Sequence, residues 1–163
     1  MELFSAILIH IKRILPMKAV VTRVSEASVT IDGCIKGKIG RGYLVLLGVG
    51  PRDTEAEAVR LAGKICNLRV FEDEAGKMNL DLSAVGGELL IISQFTLYAD
   101  LGGRRPGFSH AAKPDIAIPL YERFKAECAA RGFHVECGEF GADMKVASVN
   151  DGPVTLLYDT DML

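Results

Sequence analysis

Two short stretches of this chain put polar side chains where the surrounding pattern calls for apolar ones. In Ser93-Gln94-Phe95-Thr96-Leu97-Tyr98, hydroxyl and amide groups end an apolar run. A strand end that leaves the core is where backbone and hydroxyl groups can meet a ligand. It is equally where a strand simply surfaces, with Ser93 and Thr96 on its wet side. A threonine nucleophile would need an adjacent base, and the stretch has no histidine or carboxylate close in sequence. In Asn150-Asp151-Gly152-Pro153-Val154-Thr155, a Gly-Pro step lies between two apolar segments. On its own it reads as a turn whose Asn and Asp cap exposed backbone groups. Metal chemistry has no such foothold. Cys34, Cys66, Cys128 and Cys137 are scattered, as are His10, His110 and His134, so zinc-ligand spacing is absent and neither metal nor cofactor is expected. The cysteines read as reduced thiols packed as small hydrophobes in a cytoplasmic protein.

The elements that must position these stretches follow from periodicity. KAVVTRV and ASVTI, the Asp32-Gly33 turn and the residues through Ile39 read as strands joined by tight turns. YLVLLGVG is a continuous apolar run, expected of a strand buried on both faces. Thr54 and Glu57 form a capping box, and Ala58, Leu61, Ala62, Ile65 and Leu68 then mark a helix over 54–68. A short strand at Arg69–Phe71 leads to a polar loop turning at Gly76. After Gly86-Gly87, ELLIISQFTLYAD is a second buried strand with a polar end. The Gly- and Pro-rich LGGRRPGFSHAAKP is a long loop carrying Arg104 and Arg105, with Lys113 downstream. Residues 115–131 form a second helix, with Ile118, Tyr121, Phe124 and Cys128 near one face, Pro119 limiting its start and Gly132 stopping it. Strands around HVECGEF, MKVASV and PVTLLYD finish the chain. The reading is a single β-rich α+β domain, eight or nine strands in a curved sheet or open barrel covered by two main helices.

The 163 residues support one sizeable core, with 49% apolar and 25% charged residues, which excludes disordered and fibrous classes. A net charge of −2 argues against a DNA coat or a polybasic membrane binder, so a nucleic-acid partner would need a local basic patch. Residues 1–16 stand apart as an appendage to a domain over 17–163. Phe4, Ile7, Leu8, Ile11, Ile14 and Leu15 recur at helical spacing before Pro16 breaks the pattern. The segment is too short and charged to span a bilayer, and its positive charges follow the apolar run rather than preceding it as in a secretory signal. It reads as a short amphipathic helix, with a peripheral membrane anchor as the alternative.

Taken in order, the two polar stretches resemble those of the D-aminoacyl-tRNA deacylases, the chiral proofreading enzymes of translation. The resemblance runs from Met17 to about Asp159. It includes MKAVVTRVSEASV, PRDTEAEA, FEDEAGKMN, GRRPGFSHAAKP, PLYERF and FGADMKVASVNDGPVTLL. It implies hydrolysis of the ester between a D-amino acid and the terminal ribose of tRNA, and a homodimer in which a cis Gly-Pro loop enters the partner's active site. Gly152 and Pro153 would then hold the α-amino group through their carbonyls and leave no room for an L side chain. Asn150 and Thr155 belong to the same substrate-binding loop. Arg23 matches a family arginine that orients the loop, and its fixed donors suit it to pin carbonyls. An arginine on a strand's solvent face is the other reading. Catalysis falls to Ser93, Gln94, Phe95 and Thr96. Either Thr96 attacks, or the Phe95 and Thr96 N–H groups hold an oxyanion while the tRNA ribose hydroxyl assists water; Ser93 and Gln94 shape the pocket. Because glycine has no Cβ to exclude, glycyl-tRNA should also be cleaved. Arg104 and Arg105 would meet the phosphates of the tRNA acceptor end, or be merely solvated. DNA and membrane partners are not expected. A non-catalytic RNA-end or nucleotide-binding module on the same fold is the rival class, and a metal-dependent hydrolase is disfavoured by the scattered histidines.

Overall fold

The computed structural model describes residues 16–163. The expected appendage therefore lies, except for Pro16, outside the described residues.

A 14-residue strand, β1 (Lys18–Ile31), organises the sheet. It runs unbroken through what the sequence suggested were two strands. Asp32 and Gly33, both at positive φ (50° and 77°), close a two-residue hairpin to β2 (Cys34–Ile39). Such a pair matches the twist of the flanking strands. The first half of β1 pairs antiparallel with β3 (Gly42–Gly48), from Lys18 opposite Gly48 to Val24 opposite Gly42. Along its other edge β1 pairs antiparallel with the last strand of the chain.

From β3 the chain crosses through α1 (Glu55–Cys66), a small hairpin of β4 (Phe71–Glu72) and β5 (Met78–Leu80), and returns as β6 (Glu88–Ser93), parallel to β3. A second crossover through α2 (Pro114–Ala130) brings β7 (Val135–Cys137) parallel to β6. The last strand, β8 (Lys145–Asp159), is 15 residues long. The path is thus β2-β1-β3-β6-β7, with β8 on β1. Its ends curl together: a Cβ on Gly37 of β2 would lie 3.1 Å from the Cys137 carbonyl oxygen of β7. The open-barrel expectation holds.

Alternation along β3 and β6 builds two cores, because successive side chains leave a strand on opposite faces. Tyr43, Val45, Leu47, Leu89 and Ile91 join Leu61, Ile65, Leu120 and Phe124 of the helices. Leu44, Leu90 and Ile92 join Val24, Val29 and Ile39 inside the curl. The helix α1 starts as its capping box requires. The Thr54 hydroxyl accepts from the Ala56 amide at 3.3 Å, and a Glu57 carboxylate oxygen accepts from the Thr54 amide at 2.6 Å; such a cap contributes about 1 kcal/mol.

Three expectations need correction. Ile118 is not on the buried face of α2, whose stripe runs through Ala117, Leu120, Tyr121, Phe124 and Cys128; Ile118 stands 100° of helix rotation away from Ala117 and is exposed. Cys34 is exposed in the β1–β2 hairpin, whereas Cys66 and Cys128 are buried where α1 meets α2. MKVASV and PVTLLYD are one strand rather than two; Lys145–Val149 is exposed along its length, while Met144 just before it packs on the core inside the curl.

Candidate active site

The Asn150–Thr155 stretch is an excursion within β8 rather than a terminal turn. Asn150 pairs with Val24 of β1, and Thr155 pairs with Thr22. Asp151 to Val154 therefore bulge outward between them, while the strand keeps its direction. The Gly152-Pro153 bond is cis and Gly152 has φ 137°. Asn150 braces the bulge from both sides. Its carboxamide oxygen accepts from the Val154 amide at 2.8 Å and its nitrogen donates to Thr155 Oγ1 at 2.9 Å. Behind the bulge lies Arg23, only 6% exposed, so it is no solvent-face arginine. Its Nε donates to the Asp151 carbonyl at 2.9 Å and its Nη1 to the Val70 carbonyl. A buried guanidinium needs such acceptors, because leaving it unpaired would cost several kcal/mol. The Asp151 carboxylate is 3.9 Å away and half-exposed, a weak second partner.

Ser93 ends β6 opposite Leu47 of β3. The Gln94 amide continues the ladder by donating to the Leu47 carbonyl at 2.8 Å. The chain then tightens into a single 3₁₀ turn, Phe95–Tyr98, which the apolar pattern had not signalled. Among the described residues the Phe95 and Thr96 amides meet no acceptor, as the first N–H groups of a helical turn do. The Gln94 side-chain amide donates to Thr96 Oγ1. Neither Ser93, Gln94 nor Thr96 bonds a histidine or carboxylate among the described residues. Tyr98 anchors the turn, its hydroxyl lying within hydrogen-bond distance of both the Pro16 and Gly48 carbonyls, which share its one proton. Burial pushes that phenol far above its ordinary pKa, so it stays protonated. Among the described residues Thr96 thus has no hydrogen-bonded base to activate it.

The basic loop is tied to this turn by a contact that sequence reading missed. Asp100 and Gly107 exchange two backbone hydrogen bonds (2.7 and 2.9 Å), closing off the loop that carries exposed Arg104 and Arg105. Phe108 just beyond packs edge-on against Phe95, ring centroids 5.2 Å apart. Both rings are partly exposed, at 38% and 53%. Phe108, the one phenylalanine in that Gly- and Pro-rich loop, was the available signal. The Val70 carbonyl had none, since a backbone acceptor leaves no mark in side-chain pattern. Lys113 is the N-terminal boundary residue of α2 and is exposed.

One chain does not bring the two stretches together. The Gly-Pro bulge lies beside Thr22–Val24 near the middle of β1, whereas the 3₁₀ turn adjoins its first residues, where Lys18 pairs with Gly48 and its ammonium sits 5.2 Å from the centre of the Tyr98 ring. Four to six strand residues separate them, about 13–20 Å at ~3.3 Å per residue.

Comparison with known proteins decides the family. Residues 20–159 match the D-Tyr-tRNA(Tyr) deacylase family. The chain belongs to the D-Tyr-tRNA(Tyr) deacylase family. A protein of Roseiflexus castenholzii (strain DSM 13941 / HLO8) named D-aminoacyl-tRNA deacylase is 60% identical over 145 residues, 88% of this chain and 92% of its own length. One of Thermus aquaticus with the same name is 57% identical over 145 residues, covering 88% and 95%. A solved structure titled c-Myc DNA Unwinding Element Binding Protein superposes with a TM-score of 0.82 at 43% identity, over 87% of this chain and 97% of its own. The deacylase-family segment thus takes in both stretches and Arg23. Among the described residues no cluster of three His, Cys, Asp or Glu side chains is arranged to hold a metal ion. No described helix is long and apolar enough to cross a membrane.

Proposed function

We propose a complete reading of the site around the family's reaction. The chain hydrolyses the ester of D-aminoacyl-tRNA, releasing free tRNA and the D-amino acid, and so acts as a chiral proofreading hydrolase. In our reading the Gly152 and Pro153 carbonyls receive the substrate's α-ammonium. Their bulk fills the space an L side chain would need, a way of rejecting the wrong hand that ignores side-chain chemistry. The Phe95 and Thr96 N–H groups face the developing oxyanion, worth about 10²–10³ in rate per donor. The tRNA ribose hydroxyl then assists the attacking water. Ser93 and Gln94 shape the pocket, and Arg104 and Arg105 meet acceptor-end phosphates.

The observation that carries this reading is the separation of the bulge from the 3₁₀ turn within one chain. A substrate touching both must lie between two copies, so the working unit is a homodimer with each bulge serving its partner. In support, β8 pairs on one edge with β1 and exposes Val146, Val149 and Leu157. Such an edge strand is ordinarily covered. The reading takes tRNA rather than DNA as nucleic-acid partner, needs neither membrane nor cofactor, and suits a cytoplasmic enzyme.

The test is a deacylation assay with D-tyrosyl-, L-tyrosyl- and glycyl-tRNA, with and without chelator. Cleavage of the D and glycyl esters and sparing of the L ester are expected, unchanged by chelator. Untouched glycyl-tRNA would rule out steric exclusion alone, and binding without turnover would leave only an RNA-end module. For the dimer, a Gly152→Ala chain mixed with a Phe95→Pro chain, which lacks that backbone N–H, should recover activity well above that of either alone. Failure of that complementation, with mixed dimers formed, would sink the shared site.

A further inference from the structure

Tyr43 and Arg23 stand directly opposite each other on β3 and β1, and both reach the same short stretch of irregular backbone. The Tyr43 hydroxyl donates to the Leu68 carbonyl at 3.1 Å, and the Arg23 Nη1 donates to the Val70 carbonyl. The Tyr43 ring also stacks on Phe71, centroids 5.4 Å apart at 24°, while the Arg41 guanidinium lies 5.0 Å from the centre of the Phe71 ring. Residues 68–70 follow α1 and belong to no strand. The Leu68 amide donates to the Ile65 carbonyl and the Arg69 guanidinium to Asn79, and this clamp adds a hold from beneath. Their position matters because Arg23 spans from Val70 to Asp151, with its Nη2 3.1 Å from where a Cβ on Gly152 would sit.

We propose that Tyr43 is a specificity-determining positioning residue, whose hydroxyl holds the Leu68–Phe71 backbone that seats Arg23 against the Gly152-Pro153 bulge. The proposal rests on the Gly-Pro bulge being the chiral gate. Packing alone would be served by phenylalanine at this fully buried site. The hydroxyl adds a directional tie to one carbonyl, and that tie passes through Val70 to the guanidinium. If it loosens, the carbonyls that hold the D substrate and the wall that excludes the L substrate shift together. The ratio of D to L cleavage then falls whichever of the two rates moves more. A displacement near 1 Å at such a site is enough to cost about 10²-fold, so a loosened clamp should lower the ratio by roughly tenfold.

The test compares Tyr43→Phe with Tyr121→Phe. Tyr121 is also buried and donates to a backbone carbonyl, that of Ile91 at 2.8 Å, but it has no link to Arg23. Both variants lose one buried hydroxyl and should unfold a few degrees lower. Only Tyr43→Phe should lower the D-to-L ratio of kcat/KM for tyrosyl-tRNA, and Phe71→Leu, which removes the stacked ring, should lower it too. Arg23→Lys separates the two levels of argument. If Arg23→Lys lowers the ratio while Tyr43→Phe and Phe71→Leu leave it at the wild-type value, the clamp is wrong and the gate survives. If Arg23→Lys also leaves it unchanged, the gate reading fails and the clamp fails with it. Equal falls in Tyr43→Phe and Tyr121→Phe would show a general loosening and overturn the proposal.

Discussion

Arg23 occupies the space beside Gly152 that a side chain would need: the guanidinium Nη2 lies 3.1 Å from the position a Cβ on Gly152 would occupy. Val154 crowds the same point, with its Cγ2 at 2.8 Å and its amide nitrogen at 3.0 Å. Gly152 also sits at φ 137°, a conformation that L side chains avoid at a cost of about 1–3 kcal/mol. Gly152→Ala should therefore displace the bulge or the arginine behind it. Activity on D-tyrosyl-tRNA is expected to drop by about 10²-fold, while circular dichroism still reports the native fold, because the bulge is exposed and outside both cores. Wild-type kcat/KM in this variant would remove Gly152 from the site.

Thr96 accepts a hydrogen bond from Gln94 and, among the described residues, bonds no histidine or carboxylate. Thr96→Ala keeps the backbone N–H that the oxyanion needs. It should retain activity within about tenfold, since side-chain loss leaves both donors in place. Complete inactivity in a folded Thr96→Ala protein would return the threonine to the role of nucleophile.

Arg104 and Arg105 project from a loop closed by Asp100 and Gly107 and seated on Phe95 by Phe108. If they meet phosphates, replacing both with alanine should raise KM for D-tyrosyl-tRNA and leave kcat nearly unchanged. The slope of log(kcat/KM) against log[salt] should flatten by about 1–2, in line with the lost phosphate contacts. An unchanged salt slope would show the pair to be only solvated.

Asp53 gives the fold a pH dependence of unusual sign. Its carboxylate accepts from the amides of Gly50 (2.6 Å) and Met17 (3.0 Å). Burial nevertheless pushes its pKa up to about 7, against those amide bonds, from an ordinary 3.8. Between these values the folded chain holds a proton that the unfolded chain has released. This contribution is whole below pH 4 and is lost as pH rises toward 7, then constant above it. Asp53→Asn removes the titration. Its melting temperature relative to wild type should climb from pH 4.5 to 7.5 and then level off. Parallel melting profiles for the two proteins would exclude this account.

The chain's own pattern carried much of this. The capping box of Thr54 and Glu57, the doubly buried runs of β3 and β6 and the Asp32-Gly33 hairpin are local signals, set by neighbours within a few residues, and the structure has each of them. The two polar stretches were visible for the same reason: they break a local rule. Other features depend on partners far along the chain. Whether Arg23 faces water or lies buried is settled by the Val70 and Asp151 carbonyls, 47 and 128 residues away. MKVASV and PVTLLYD merge into one strand because β1 is long enough to pair with both, letting Asp151–Val154 bulge out between the two paired segments. Phe108 meets Phe95 only after the loop between them has closed. Periodicity reports which face of an element is apolar. Which backbone carbonyl a side chain finds, and which parts of a strand two motifs lie beside, come from long-range pairing, and that pairing is decided only when the sheet is assembled.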